Sequence, residues 1–155
     1  MTLLNMIEIH IDGACSGNPG EAAIGVIIRR DGQVIKEIAK SIGVGTNNIA
    51  EYSAMICALQ EASSQKDRDV KIYTDSELVY KQLKGEYQVK HPSIKPLFEQ
   101  VQHFLREFPS LELKHVPREQ NKDADRLATS VLKKQAKVVA PSANVGGEES
   151  PSSKG

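Results

Sequence analysis

Residues 6–12 read Met-Ile-Glu-Ile-His-Ile-Asp, an unbroken alternation in which Ile7, Ile9 and Ile11 project to one side and Glu8, His10 and Asp12 to the other. That is the period of a strand with one apolar face, and it stops at Asp12. A turn segment follows from Gly13 to Gly20, with Asn18-Pro19-Gly20 inside it. Two further β-like runs, 22–29 and 33–39, are joined by the turn pair Asp31-Gly32. The first three strands are therefore expected to form an antiparallel meander.

Outward from this meander the period changes. Thr46-Asn47-Asn48 supplies capping side chains, and Ala54, Met55, Ala58, Leu59 and Ala62 recur at helical spacing to about residue 63. A short strand over 70–74 leads into a helix over 76–83. The punctuated segment 85–96 then precedes a third helix ending near Phe108. Residues 111–116 read as a fifth strand, and a last helix from about Asn121 to Lys134 carries Ala124, Leu127, Ala128 and Val131 on one stripe. The order β-β-β-α-β-α-α-β-α predicts an α/β domain over residues 1–135, a mixed five-stranded sheet flanked by helices. Residues 136–155, rich in Pro, Ser, Gly and Glu, are expected to form a disordered C-terminal tail. No internal repeat is present.

The 155 residues, 39% of them hydrophobic, suffice for one core without disulfides. Lys+Arg and Asp+Glu both number 20, so no long-range positive field draws the chain onto nucleic acid, and any such contact has to be local. No apolar run approaches the roughly 18 residues of a membrane span. Nor does the start, Met1 to Met6, have the make-up of a secretory signal, so the expected location is cytoplasmic. Cys15 and Cys57 lack the spacing of a zinc site or a disulfide framework and are read as reduced and structural.

Four acids occupy unusual places. Asp12 closes the first strand, and Asp75 closes Val-Lys-Ile-Tyr-Thr-Asp, where Val70, Ile72 and Thr74 take the opposite face. Either acid alone is an ordinary turn or cap residue, but the pair is not ordinary. From Glu51, steps of three or four reach Ala54, Met55, Ala58 and Leu59, which aims a glutamate at the sheet. A solvent-side position would give the same favourable interaction with the helix N-terminus without desolvating a charge. From Asp125 the same steps reach Ala128, Thr129 and Leu132, and from Asp123 they reach Arg126, Leu127 and Ser130, which favours Asp125 as the inward acid. No cluster of lysine or arginine in these segments offsets four converging carboxylates, so a divalent metal is the expected counter-charge. An all-oxygen set selects Mg²⁺ or Mn²⁺ over zinc, and two such ions suit phosphodiester cleavage, with the acids as ligands.

With these motifs the chain resembles the ribonuclease HI family over roughly residues 6 to 134. The resemblance is carried by Ile-Asp-Gly-Ala-Cys-Ser-Gly-Asn-Pro-Gly at 11–20, Thr46-Asn47-Asn48 followed by Glu51, Tyr73-Thr74-Asp75-Ser76, and Asn121-Lys122-Asp123-Ala124-Asp125-Arg126-Leu127-Ala128. It implies the ribonuclease H-like fold, three antiparallel strands followed by two parallel ones. It also implies endonucleolytic hydrolysis of the RNA strand of RNA/DNA hybrids, leaving 5′-phosphate and 3′-hydroxyl ends. Asp12, Glu51, Asp75 and Asp125 fall on the family's metal-binding acids. Gly13, Cys15, Asn18, Thr46, Asn47, Asn48 and Ser76 match positions near its substrate, Asn18 and Asn48 as hydrogen-bonding groups. Short amides and hydroxyls suit sugar hydroxyls and phosphates, and the 2′-OH distinguishes RNA from DNA.

Three departures mark the chain. Residues 85–96 stand where well-known bacterial members carry a longer basic, Trp-containing protrusion, and Lys81, Lys84, Lys90, His91 and Lys95 are a thin replacement. His115-Val116-Pro117-Arg118-Glu119-Gln120 lacks those members' glycine-rich, histidine-bearing loop and resembles archaeal-type and related bacterial ones, in which an arginine at the position of Arg118 assists. Pairing of Arg118 with Glu119 or solvent stays open, as does an assisting role for His115. Glu77 adds negative charge beside Asp75-Ser76. His10, Tyr52 and Tyr73 are read as packing residues. Two other readings compete: a catalytically silent nucleic-acid-binding module, and another nuclease of the same fold such as a junction resolvase or exonuclease. Presence of all four acids argues against the first, and the asparagine-rich motifs argue against the second. A monomer is expected.

Overall fold

The alternating segment lies at the centre of a five-stranded sheet. The computed structural model describes residues 6–65 and 69–145, the last ten by their backbone alone. The elements are β1 (Met6–Cys15), β2 (Gly20–Arg30), β3 (Gln33–Gly45), α1 (Asn47–Gln65), β4 (Asp69–Thr74), α2 (Glu77–Leu83), α3 (Lys95–Leu105), β5 (Glu112–His115), a 3₁₀ turn (Arg118–Gln120) and α4 (Lys122–Val145). The sheet order is β3-β2-β1-β4-β5. β1–β2 and β2–β3 pair antiparallel, β1–β4 and β4–β5 parallel, as the mixed sheet requires.

Both sheet faces are covered, unequally. Ile7, Ile9 and Ile11 are fully buried and belong with Ile24, Val26, Ile28, Met55 and Leu59 to the main core, between the sheet and α1. Each such side chain contributes about 1.5–3 kcal/mol through apolar area removed from water. The opposite face holds a smaller cluster, Ile27 with Ala124 and Leu127, under α4. β2 is buried from Ala22 to Ile28 because helices lie against both its faces.

Among the boundaries that differ from the sequence reading, three bear on the site or the tail. β1 runs on to Cys15 because Gly13, Ala14 and Cys15 keep antiparallel partners in β2. β3 continues to Gly45, past the expected end at Ala39, since β2 templates it through a bulge at Ala22/Ala23. α4 continues to Val145 and so crosses the boundary expected at 135. The reason is local: Gln135 to Ala140 contain neither glycine nor proline, and nothing there ends a helix. Of the expected tail, residues 136–145 are helical, and residues 146–155 lie outside the described residues. No helix among the described residues is long and apolar enough to cross a membrane.

Candidate metal centre

The site is assembled at the ends of two strands by two close helix approaches. In the parallel β1–β4 pair Ile11 stands beside Thr74, so the next residues, Asp12 and Asp75, emerge together. Glu51 arrives from α1. A Cβ at Gly13 would collide with the backbone of Ala50 and Glu51, and only a glycine lets the first turn of α1 settle so near that the Gly13 N–H donates to Glu51 Oε1 at 3.1 Å. Asp12, Glu51 and Asp75 each offer a ligand oxygen, and these atoms lie within 4.8 Å of one another.

Asp125 arrives from the other face. Asp12 is paired across the ladder with Gly25, whose absent side chain makes room for Ala124 and Ala128 of α4; a Cβ there would strike the Ala124 carbonyl. α4 thus starts against β2, and Asp125 reaches the cavity shared by the other three acids. It comes near enough to Asp12 for a hydrogen bond between the two carboxyl groups, while remaining outside the tight three-acid cluster. Asp123 takes the other course: its carboxylate meets Arg29 at 2.5 Å and Arg126 at 3.5 Å.

The electrostatics match an unneutralised cluster. Burial, reinforced by Glu51, Asp75 and Asp125, pushes the Asp12 carboxyl up to about 9. Burial and then Asp75 push Glu51 up to about 8, opposed by the Gly13 N–H and by Arg118. Among the described residues no lysine or arginine forms an ion pair with these acids. A hard divalent cation fits this set: every donor of the cluster is a carboxylate oxygen, and a bound cation would offset both the burial and the like charges that raise Asp12 and Glu51.

The cavity is an open groove of about 520 Å³, with Gly13, Cys15, Asn47, Asn48, Ser76 and Arg118 in its lining. Asn18 and Thr46 lie outside the lining and hold the groove's wall together instead: Asn18 Oδ1 accepts from the Asn47 N–H at 3.0 Å, and Thr46 Oγ1 caps α1 through the Ile49 N–H at 3.2 Å. Ser76 caps α2 through the Val79 N–H at 3.2 Å, and the Cys15 thiol donates to the Gly45 carbonyl at 3.2 Å. Arg118 is exposed at the rim and makes no ion pair with Glu119 among the described residues. His115 is absent from the lining and stacks on Tyr80, with ring centroids 5.6 Å apart. Glu77 borders the groove, its charge met by Lys81 at 2.9 Å. Tyr52 donates to Gln82 at 2.7 Å in the buried core, and His10 stacks on Tyr73 at 4.4 Å.

Two residues beside the site carry little signal in the sequence. Gly25 sits inside a β run, where an unexplained glycine was its only signal. Asn121 was legible only as the first residue of a motif, yet it is fully buried and donates to Asp75 Oδ2 at 3.3 Å.

Comparison with known proteins agrees with this arrangement. The family model described as "Reverse transcriptase-like" matches residues 10–131. "Ribonuclease HI" of Halobacterium salinarum is 39% identical over 127 residues, 81% of this chain, which itself spans 64% of that relative's length. The crystal structure of RNase H1 from the same archaeon superposes with a TM-score of 0.80 at 37% identity, covering 83% of this chain and 98% of that one. LC11-RNase H1, solved in complex with RNA/DNA hybrid, superposes with a TM-score of 0.79 at 39% identity, covering 84% of this chain and 99% of that one. With a family model matched across nearly the whole sheet, and close agreement over almost the full length of solved relatives, the chain belongs to the ribonuclease H1 family.

Proposed function

We propose that this protein is an endoribonuclease that hydrolyses the RNA strand of RNA/DNA hybrids by a two-metal-ion mechanism, leaving 5′-phosphate and 3′-hydroxyl ends, and that it works as a cytoplasmic monomer. One observation carries the reading. Four carboxylates from β1, α1, the end of β4 and α4 line a single polar groove, and among the described residues none of them is held in an ion pair. The hybrid bound by LC11-RNase H1, a relative of the same fold, supports the choice of substrate.

Asp12, Glu51, Asp75 and Asp125 would hold Mg²⁺ or Mn²⁺, which supplies the positive charge that activates water and stabilises the leaving oxygen. The chain's own residues bind and orient. Asn47, Asn48 and Ser76 present amide and hydroxyl groups on the wall of the groove, suited to the sugar and phosphate oxygens of an RNA strand. Arg118, at the rim, offers a positive guanidinium to the scissile phosphate.

The test is cleavage of an end-labelled RNA/DNA hybrid, with duplex DNA and duplex RNA alongside, in Mg²⁺, Mn²⁺ or EDTA. The expected outcome is metal-dependent cutting of the hybrid's RNA strand, lost in Asp75→Asn. Hybrid that is bound but never cut would instead assign the chain to nucleic-acid binding.

A further inference from the structure

Asn121 stands immediately before α4, where an asparagine ordinarily caps the helix by accepting a backbone N–H with its side-chain oxygen. Here Oδ1 accepts nothing among the described residues, although the side chain is fully buried. The amide nitrogen is used instead, donating to the Ile11 carbonyl at 2.7 Å and to Asp75 Oδ2 at 3.3 Å. Both partners only accept, so the amide has a single workable orientation; exchanging its oxygen and nitrogen would set an acceptor against two acceptors.

The same residue reaches a second acid through its backbone, since the Asn121 carbonyl accepts the Asp125 N–H at 3.1 Å. One buried residue therefore grips β1 directly ahead of Asp12 and holds an oxygen of Asp75 through its side chain, and through its backbone begins the turn that carries Asp125. The bond to the Asp125 N–H is the first of the helix and any cap would make it, but a cap needs neither Ile11 nor Asp75.

We propose that Asn121 is a positioning residue for the metal centre: by fixing one oxygen of Asp75, and the spacing of Asp75 from Asp12 and Asp125, it sets the affinity for divalent cations. The inference rests on the metal-site reading above. Groups that orient metal ligands typically change affinity by about 10- to 100-fold when removed, and that range gives the expected effect.

The experiment is calorimetric titration of the full chain with Mn²⁺, without nucleic acid, for wild type, Asp75→Asn, Asn121→Leu and Asn121→Ala. Each is measured well below its melting temperature and checked by circular dichroism. Leucine keeps the volume of the amide and removes its donors; alanine serves if the leucine methyls do not fit. We expect the folded Asn121 variant to bind Mn²⁺ about tenfold more weakly or worse, a loss that an anchoring role alone would not produce. A folded variant that binds Mn²⁺ as tightly as wild type overturns the inference and leaves the metal site standing. If wild type shows no Mn²⁺ binding that Asp75→Asn weakens, the metal-site reading itself falls, and this inference with it.

Discussion

Two groups of charges meet at Asn121 and are treated in opposite ways. On one side a cavity of about 170 Å³ is lined by His10, Arg29, Asp123 and their neighbours. There the Arg29 guanidinium, helped by Arg126, holds the Asp123 carboxyl below the usual range, while burial and the nearby Arg29 charge lower His10. On the other side Asp12, Glu51, Asp75 and Asp125 share a groove in which, among the described residues, none of them forms an ion pair and only Arg118 brings a positive charge into the lining. Asp123 and Asp125 lie two residues apart in the first turn of α4 and feel the same helix dipole. What separates them is the face each presents: Asp123 meets an arginine from β2, whereas Asp125 meets other carboxylates. A compensated acid fixes structure. An uncompensated group of acids stores repulsion that a cation can relieve.

The strongest way to break this contrast is to remove one charge from the uncompensated side. Asp12→Asn is nearly isosteric and should lower hydrolysis by roughly a thousandfold or more, the equivalent of losing several kcal/mol of charge stabilisation at the scissile phosphate. The same variant should change how the metal-free protein melts. Folded Asp12 and Glu51 keep their protons up to about 9 and about 8, whereas in the unfolded chain such carboxyls ionise near 4. Between these limits the native state binds more protons than the unfolded one. Stability in EDTA should therefore be greatest at acid pH and decline as pH rises from about 4 towards 9. Melting curves across that window should show the decline in wild type, a shallower one in Asp12→Asn, and a reversal on adding Mg²⁺. A flat wild-type profile would contradict the picture of stored repulsion.

A smaller effect sharpens the comparison at the rim. Arg118 is the cation nearest the acids in the groove's lining, and its charge already opposes the rise of Glu51. Arg118→Ala should slow hydrolysis about tenfold, roughly 1.4 kcal/mol in the barrier, with Mn²⁺ affinity retained. An unchanged rate would return Arg118 to the solvated surface. The smallest effect belongs to the compensated side. Asp123→Ala breaks a partly exposed pair and should cost about 0.2–1 kcal/mol in denaturant unfolding while hydrolysis stays at the wild-type rate. A collapse of activity there would mean that the two groups of charges are not separate.

Much of this molecule is legible in the sequence because the governing signals are local. The alternation of residues 6–12 makes β1, the helical recurrence of Ala54, Met55, Ala58 and Leu59 makes α1, and the acids that end two strands or face a helix's apolar side mark the site. The choice of Asp125 over Asp123 also follows from helical spacing. Element ends are less local: β3 outruns its own pattern because β2 supplies hydrogen-bonding partners as far as Gly45.

What the sequence determined by itself was the kind and order of the elements, and which four acids would lie where one groove gathers them. Tertiary structure alone decided how these acids meet. Gly25 admits α4 against the strand partner of Asp12, Gly13 admits α1, and Asn121 reaches Ile11 across 110 residues of chain to hold Asp75. Periodicity specifies which face a residue takes within its own element. Close approach, amide orientation and the pairing of charges depend on what lies opposite, which only folding brings into contact.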